Sequence, residues 1–72
     1  MKIGPWTVHA SITSDRVCEA VERHLTSLDN PGFCLACGAD AEGVEPDAEG
    51  YECEICEEPA VWGADQLLIY LA

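Results

Sequence analysis

Four of the five cysteines fall into two pairs of identical internal spacing, Cys34-x-x-Cys37 and Cys53-x-x-Cys56, with fifteen residues between them. Sulfur at this spacing holds a metal ion, holds an iron–sulfur cluster, exchanges disulfides or forms structural ones. A Cys-x-x-Cys turn points both sulfurs into one concavity, where backbone N–H groups can bond to the thiolates and spread their charge. Two such turns facing each other close a tetrahedral site with no open position for water or substrate, the structural rather than the catalytic form of a zinc site. One structural Zn2+ held by Cys34, Cys37, Cys53 and Cys56 is therefore expected. An iron–sulfur centre would use the same four thiolates and stays open. Redox exchange is disfavoured because neither pair opens an evident helix that would lower a thiol pKa. An odd number of cysteines suits a disulfide framework poorly.

The two turns are unequal. Gly38 follows Cys37 where the chain commonly needs a positive φ, whereas Glu57 follows Cys56, so the second turn should be slightly strained or different in shape. Glu54, Glu57 and Glu58 also crowd negative charge near the second pair. The fifth cysteine, Cys18, falls beside the apolar stripe of a predicted helix and is expected to pack as a small hydrophobe, with a reactive or metal role as the alternative. His24 would serve as a ligand only if that helix lay directly over the ribbon, and four cysteines make it unnecessary.

Seventy-two residues suffice for one domain, but a chain this short buries too little apolar surface to be stable on its core alone, and a staple is expected. The N-terminus carries no apolar run of signal-peptide length, and the apolar stretch Leu67 to Ala72 is far too short to span a bilayer. A reducing cytoplasm is the expected compartment, which again favours metal over disulfides. Net charge is -11, with 14 acids against Lys2, Arg16 and Arg23. Four thiolates and one Zn2+ would make the protein about two units more acidic. Between Phe33 and Ala72 there is neither Lys nor Arg, so direct nucleic-acid binding is unfavourable and would need all three basic residues together with Trp6 and Trp62. An apolar fraction of 49% nevertheless marks a folded chain.

The elements that must position the cysteines are expected as follows. Trp6, Val8, Ala10 and Ile12 alternate with Thr7, His9 and Ser11, the period-two signature of a strand with His9 on its exposed face; Pro5 precedes it. Thr13 or Ser14 can cap a helix starting at Asp15, with Val17, Val21, Leu25 and Leu28 as its apolar stripe and Asn30-Pro31-Gly32 as its end. Glu19 and Arg23 add an i,i+4 pair. The acidic arm Gly38 to Glu52 reads as a loose hairpin turning near Pro46 to Gly50. Short strands are expected around Glu42 to Glu45, Tyr51 to Cys53 and Ala60 to Trp62. Gly63 releases the chain into a short helix, Ala64 to Leu71, with Asp65 in its first turn. Leu67, Leu68 and Leu71 form its apolar side, and Ile69 and Tyr70 widen it enough that it must be buried or dock elsewhere. The whole is one α+β domain, residues 1–72: a strand and helix over 6–29, a zinc ribbon over 33–62 and a terminal helix over 64–71.

The segments Cys34-Leu-Ala-Cys37-Gly38, Gly43-Val-Glu-Pro-Asp47-Ala, Gly50-Tyr-Glu-Cys53-Glu-Ile-Cys56 and Val61-Trp-Gly-Ala-Asp-Gln-Leu-Leu68 together resemble the small zinc-ribbon proteins of tailed phages and prophages. The resemblance covers roughly the last forty residues, from Phe33 onward. It implies that the four cysteines are zinc ligands, that the segment after Trp62 packs as a helix on the ribbon, and that the protein works in the cytoplasm of a host cell. Relatives often carry glycine after the last ligand, and Glu57 departs from that. The family is mostly of unassigned function and implies little mechanism.

A closed thiolate site and carboxylates scattered through loops offer no catalytic constellation, so no enzymatic activity is expected. The expected function is a non-catalytic protein-interaction module whose acidic surface complements a basic surface on a host or phage protein. The candidate contact residues are Glu42, Glu45, Asp47, Glu49, Glu52, Glu54, Glu57 and Glu58. The bland alternative is that these acids only keep the protein dispersed. A sharper one is a nucleic-acid mimic that inhibits a host defence or transcription protein, and self-association through Ile69, Tyr70 and Leu71 is a further possibility.

Overall fold

The computed structural model describes residues 2–3, 6–27 and 29–71, without the side chain of Leu71. Its centre is an antiparallel pair of short strands, β3 (Gly32–Cys34) and β6 (Val61–Gly63), numbered in chain order. Phe33 lies opposite Trp62, Cys34 opposite Val61 and Gly32 opposite Gly63. β4 (Asp40–Ala41) extends the sheet beyond β3, and β5 (Glu49–Tyr51) extends it beyond β6, giving the order β4-β3-β6-β5. A separate two-stranded ribbon, β1 (Lys2–Ile3) and β2 (Trp6–Thr7), precedes the first helix, with Ile3 opposite Trp6.

Helix α1 (Ser14–Thr26) begins where Thr13, in extended backbone, accepts a hydrogen bond from the Arg16 N–H at 3.2 Å. Asp15 in the first turn and Arg23 and His24 in the last suit the helix dipole. Helix α2 (Ala64–Leu71) follows β6 directly, and its first-turn N–H groups are met by chain carbonyls: Ala64 donates to Pro31 and Gln66 to Pro46. The two helices pack on each other. His24 joins them, its Nδ1 2.9 Å from the Asp29 carbonyl and its Nε2 3.6 Å from Asp65. The buried core contains Ile3, Val17, Phe33, Leu35, Trp62 and Leu67, and the ring of Trp62 meets Tyr70 edge-on at 5.3 Å. The result is a small α+β domain with an N-terminal strand and helix, a C-terminal helix and a four-cysteine cluster whose geometry is consistent with a zinc-ribbon-like fold. Among the described residues no helix is long and apolar enough to cross a membrane.

Several local expectations are corrected. The alternation over residues 6–12 does not continue as a strand beyond Thr7. Ala10 and Ser11 form an exposed turn in which the Ile12 N–H donates to the His9 carbonyl and the Ser11 N–H to His9 Nδ1. Local side-chain bonds of this kind compete with a strand ladder. Val8 and Ile12 are buried as expected of the covered face, but Trp6 is only half-buried and Ala10 is exposed.

In α1 the buried face is Val17 and Ala20, with Val21 and His24 half-buried; Leu25 is 76% exposed, and Cys18 lies on the solvent side rather than in the core. Leu28, expected in that stripe, and Pro5, expected before the first strand, lie outside the described residues. The helix ends at Thr26, ahead of Asn30, because both the N–H and the hydroxyl of Ser27 turn back to the Arg23 carbonyl.

The acidic arm is not a hairpin. Residues 42–48 cross from one edge of the sheet to the other, with a turn closed by the Ala48 N–H on the Glu45 carbonyl and Pro46 at its second position. The strands expected at Glu42 to Glu45, Tyr51 to Cys53 and Ala60 to Trp62 stand instead at Asp40–Ala41, Glu49–Tyr51 and Val61–Gly63.

Candidate metal centre

The first cysteine turn joins β3 to β4, and the second lies between β5 and β6. Because β3 and β6 are antiparallel, the end of β3 lies beside the start of β6, and both turns arrive at the same end of the sheet. Their backbones repeat one pattern. Cys34 N–H donates to the Ala39 carbonyl and Gly38 N–H to the Cys34 carbonyl; Cys53 N–H donates to Glu58 and Glu57 N–H to Cys53. The residue after each pair is left-handed, Gly38 at φ 78° and Glu57 at φ 67°.

The four sulfurs lie within 4.8 Å of one another, with Cys34 Sγ 3.6 Å from Cys56 Sγ and Cys37 Sγ 3.7 Å from Cys53 Sγ. A tetrahedral ion with sulfur ligands at about 2.3 Å requires sulfur–sulfur edges of about 3.8 Å. The cluster thus has the size of a four-thiolate shell, whereas a disulfide would need about 2.05 Å. Among the described residues it is the one group of three or more metal-binding side chains. His24, bonded to Asp29, is not part of it.

Backbone N–H groups already point at the sulfurs: Cys37 N–H on Cys34 Sγ at 3.5 Å, and Ile55 and Cys56 N–H on Cys53 Sγ at 3.3 and 3.5 Å. These bonds favour thiolate, while burial opposes it. At Cys34 burial wins over the Cys37 and Ala36 N–H groups, and the thiol rises to about 12. At Cys53 the Cys56 N–H prevails over burial, with Ile55 assisting, and the thiol falls to about 7. At Cys56 the Glu58 N–H favours thiolate, but burial together with the neighbouring sulfurs of Cys37 and Cys53 leaves the thiol above its ordinary value. A bound cation would expel the thiol protons.

The second turn is not different in shape, since both turns share one backbone geometry; the strain expected there lies in Glu57, a non-glycine residue held left-handed. A non-glycine residue there costs about 1–2 kcal/mol. Glu57→Gly should recover roughly 0.5–1 kcal/mol after the entropy glycine loses on folding. A higher urea midpoint at unchanged m for the metal-loaded protein is the expected reading.

A layer of residues that the sequence did not single out as a site braces the first turn. The Arg16 guanidinium donates to the Gly38 carbonyl at 2.9 Å, to Asp40 Oδ1 at 2.8 Å and to the Ser11 carbonyl at 3.1 Å, while its carbon lies 4.7 Å from the centre of the Phe33 ring. The His9 N–H donates to the Leu35 carbonyl inside the turn. The only advance signal was that Arg16 is one of three cations in the chain, since its partners are far away in sequence. Arg16→Ala should destabilise the metal-loaded protein by about 1–2 kcal/mol, through lost hydrogen bonds and ring stacking more than through the exposed Asp40 pair. Arg16→Lys should recover only part of the urea midpoint, because one ammonium cannot reach Ser11, which bonds to Nη1, together with Gly38 and Asp40, which bond to Nη2.

The expected contact acids are all exposed. Glu42, Glu52 and Glu54 border a concavity on the sheet. Glu45 and Asp47 lie near Tyr51, whose phenol is raised by burial, by a hydrogen bond to Glu45 and by the charge of both acids. Glu49 bonds to Gln66, and Glu57 and Glu58 belong to the second cysteine turn. Of the groups that nucleic acid would need, Arg16 is engaged internally and Trp62 is buried. Ile69 and Tyr70 are exposed.

No protein-family model, curated protein or solved structure matches the chain.

Proposed function

We propose that this chain is a non-catalytic protein-interaction module, stapled by one Zn2+ on Cys34, Cys37, Cys53 and Cys56, whose acidic surface meets a basic surface on another protein. The observation that carries the reading is the size of the sulfur cluster: four thiols within 4.8 Å of one another, two of their edges at 3.6 and 3.7 Å, fill a four-coordinate shell and leave no position for a substrate. A net charge of -11 on so small a body favours a cationic partner and repels phosphate backbones. The ribbon motifs support an origin in a phage or prophage, and hence action in the cytoplasm of a host cell. Zinc supplies no chemistry here beyond holding two turns together. Each cysteine binds as thiolate, with the Cys37 N–H sharing the charge of Cys34 and the Ile55 and Cys56 N–H groups that of Cys53.

Two measurements test the reading. Metal analysis of protein purified without added metal should give one zinc per chain and no iron; iron with sulfide would replace the zinc assignment by a cluster. Immobilised metal-loaded protein should retain a basic protein from host lysate, and salt should release it. Release of that protein by competing DNA would convert the reading to nucleic-acid mimicry. Failure to retain any basic protein at low salt would leave the acids with solubility as their role.

A further inference from the structure

Side chains alternate across β3 and β6, so Phe33 and Trp62 face the helices, while Cys34 and Val61 face the opposite side of the sheet. That opposite side holds a groove of about 400 Å3, within the range of side-chain and ligand pockets. Its floor is apolar, made by Val61 and Val44 beside Cys34. Residues 39–43 form one wall and residues 51–54 the other, with Ile55 at its end. Two of the large apolar side chains that the described residues leave most open to water, Ile55 at 74% and Tyr51 at 43%, both border this one depression.

The charge around it is unbalanced. Asp40 is neutralised by Arg16, but Glu42, Glu52 and Glu54 have no cation within salt-bridge reach among the described residues. Glu45 and Asp47 add their charge beside Tyr51. A trough of mixed polarity, with Val44, Val61, Tyr51 and Ile55 as its apolar part and an uncompensated acidic rim, fits side chains that are apolar along their stems and cationic at their tips.

We propose that this groove is where the module, read as above, docks its partner, and that it takes an extended segment of a basic protein in which Lys or Arg alternates with aliphatic residues. The cationic heads pair with Glu42, Glu52 and Glu54. The stems and the aliphatic side chains cover Val44, Tyr51 and Ile55. The floor is continuous with Cys34, so the groove exists only when the metal centre holds its two walls in place.

The test uses the zinc-loaded full chain and a short fluorescent peptide of alternating lysine and valine. Saturable binding is expected, with amide shifts confined to residues 39–44 and 51–55, weaker binding of a lysine–glycine peptide of equal charge, and loss of affinity as salt rises. The triple variant E42Q/E52Q/E54Q should weaken binding about tenfold. The variant E19Q/E22Q/D29N, with the same change in net charge elsewhere, should bind as the parent does. Ala41→Trp, which fills the groove without altering charge, should block the peptide; its metal content and amide spectrum report folding, and if it does not fold, the two triple variants decide the matter. Equal weakening by the two triples, or equal binding of the two peptides, overturns the groove while leaving a diffuse acidic surface standing. No saturable binding of either peptide overturns the groove as well, and the lysate experiment then decides the broader reading alone.

Discussion

Cys53→Ser should leave the chain without bound metal and largely unfolded, the most damaging single substitution in the molecule. Structural zinc sites contribute about 10–16 kcal/mol of apparent binding energy in small domains. The net stability of a folded domain is only about 5–15 kcal/mol. Replacing one thiolate by a hydroxyl removes a ligand that the ion needs and leaves the Ile55 and Cys56 N–H groups facing a neutral oxygen. No other part of the structure can compensate, because the sheet strands are two or three residues long and owe their registration to the turns they enter. Metal content, amide dispersion and far-UV circular dichroism should all collapse together. Cys18→Ser is the matched control: Cys18 is exposed and outside the cluster, and its variant should keep one zinc and the parent's stability. A Cys53→Ser protein that stayed folded with well-dispersed amides would show that the core stands without its staple.

Gly38→Ala should cost about 2–4 kcal/mol, the second largest effect expected. A positive φ of 78° is unfavourable for any Cβ, by about 1–2 kcal/mol. Here the added carbon would also strike the Ser11 hydroxyl and lie 2.7 Å from His9 Nδ1. Relieving that overlap must move the residue 9–11 turn or the cysteine turn, and overpacking of this kind adds about 1–3 kcal/mol. Gly43→Ala isolates the backbone contribution, since its φ is 67° but its Cβ would meet nothing within 4 Å. The difference in urea midpoint between the two variants measures how firmly the N-terminal segment is pressed onto the first turn. Equal midpoints would mean that His9 and Ser11 move aside freely.

The cluster was legible from spacing alone, because four sulfurs in two Cys-x-x-Cys turns carry their geometry with them. So was the strain in the second turn, though not a difference in shape: Glu57 stands in the left-handed conformation that Gly38 occupies in the other. Helix starts were also legible, since Thr13 is a local cap and Gly63 a local release. What failed depended on partners far away in sequence. Alternation over residues 6–12 implies a strand only if another strand accepts it, and the chain offered the Leu35 carbonyl instead. The stripe of α1 is rotated toward Ala20 because a small residue lets a helix approach its neighbour closely, and hydrophobicity alone favoured Leu25. The acidic arm read as a hairpin because composition cannot reveal that its two ends belong to opposite edges of one sheet. Arg16 was invisible as a brace for the same reason.

Strands as short as β3 and β6 carry little information about how they should align. A slip of one position would exchange Cys34 for Phe33 on the groove side of the sheet and turn a sulfur away from its three companions. Such a misaligned chain could offer an ion at most an incomplete shell. A metal bound by the four sulfurs would therefore act as a proofreader of alignment during folding: it would reward the one pairing in which Cys34 lies opposite Val61 and leave every slipped pairing unsupported. Refolding in limiting zinc should accordingly yield heterogeneous, slowly interchanging species rather than a smaller amount of native protein and a clean unfolded remainder.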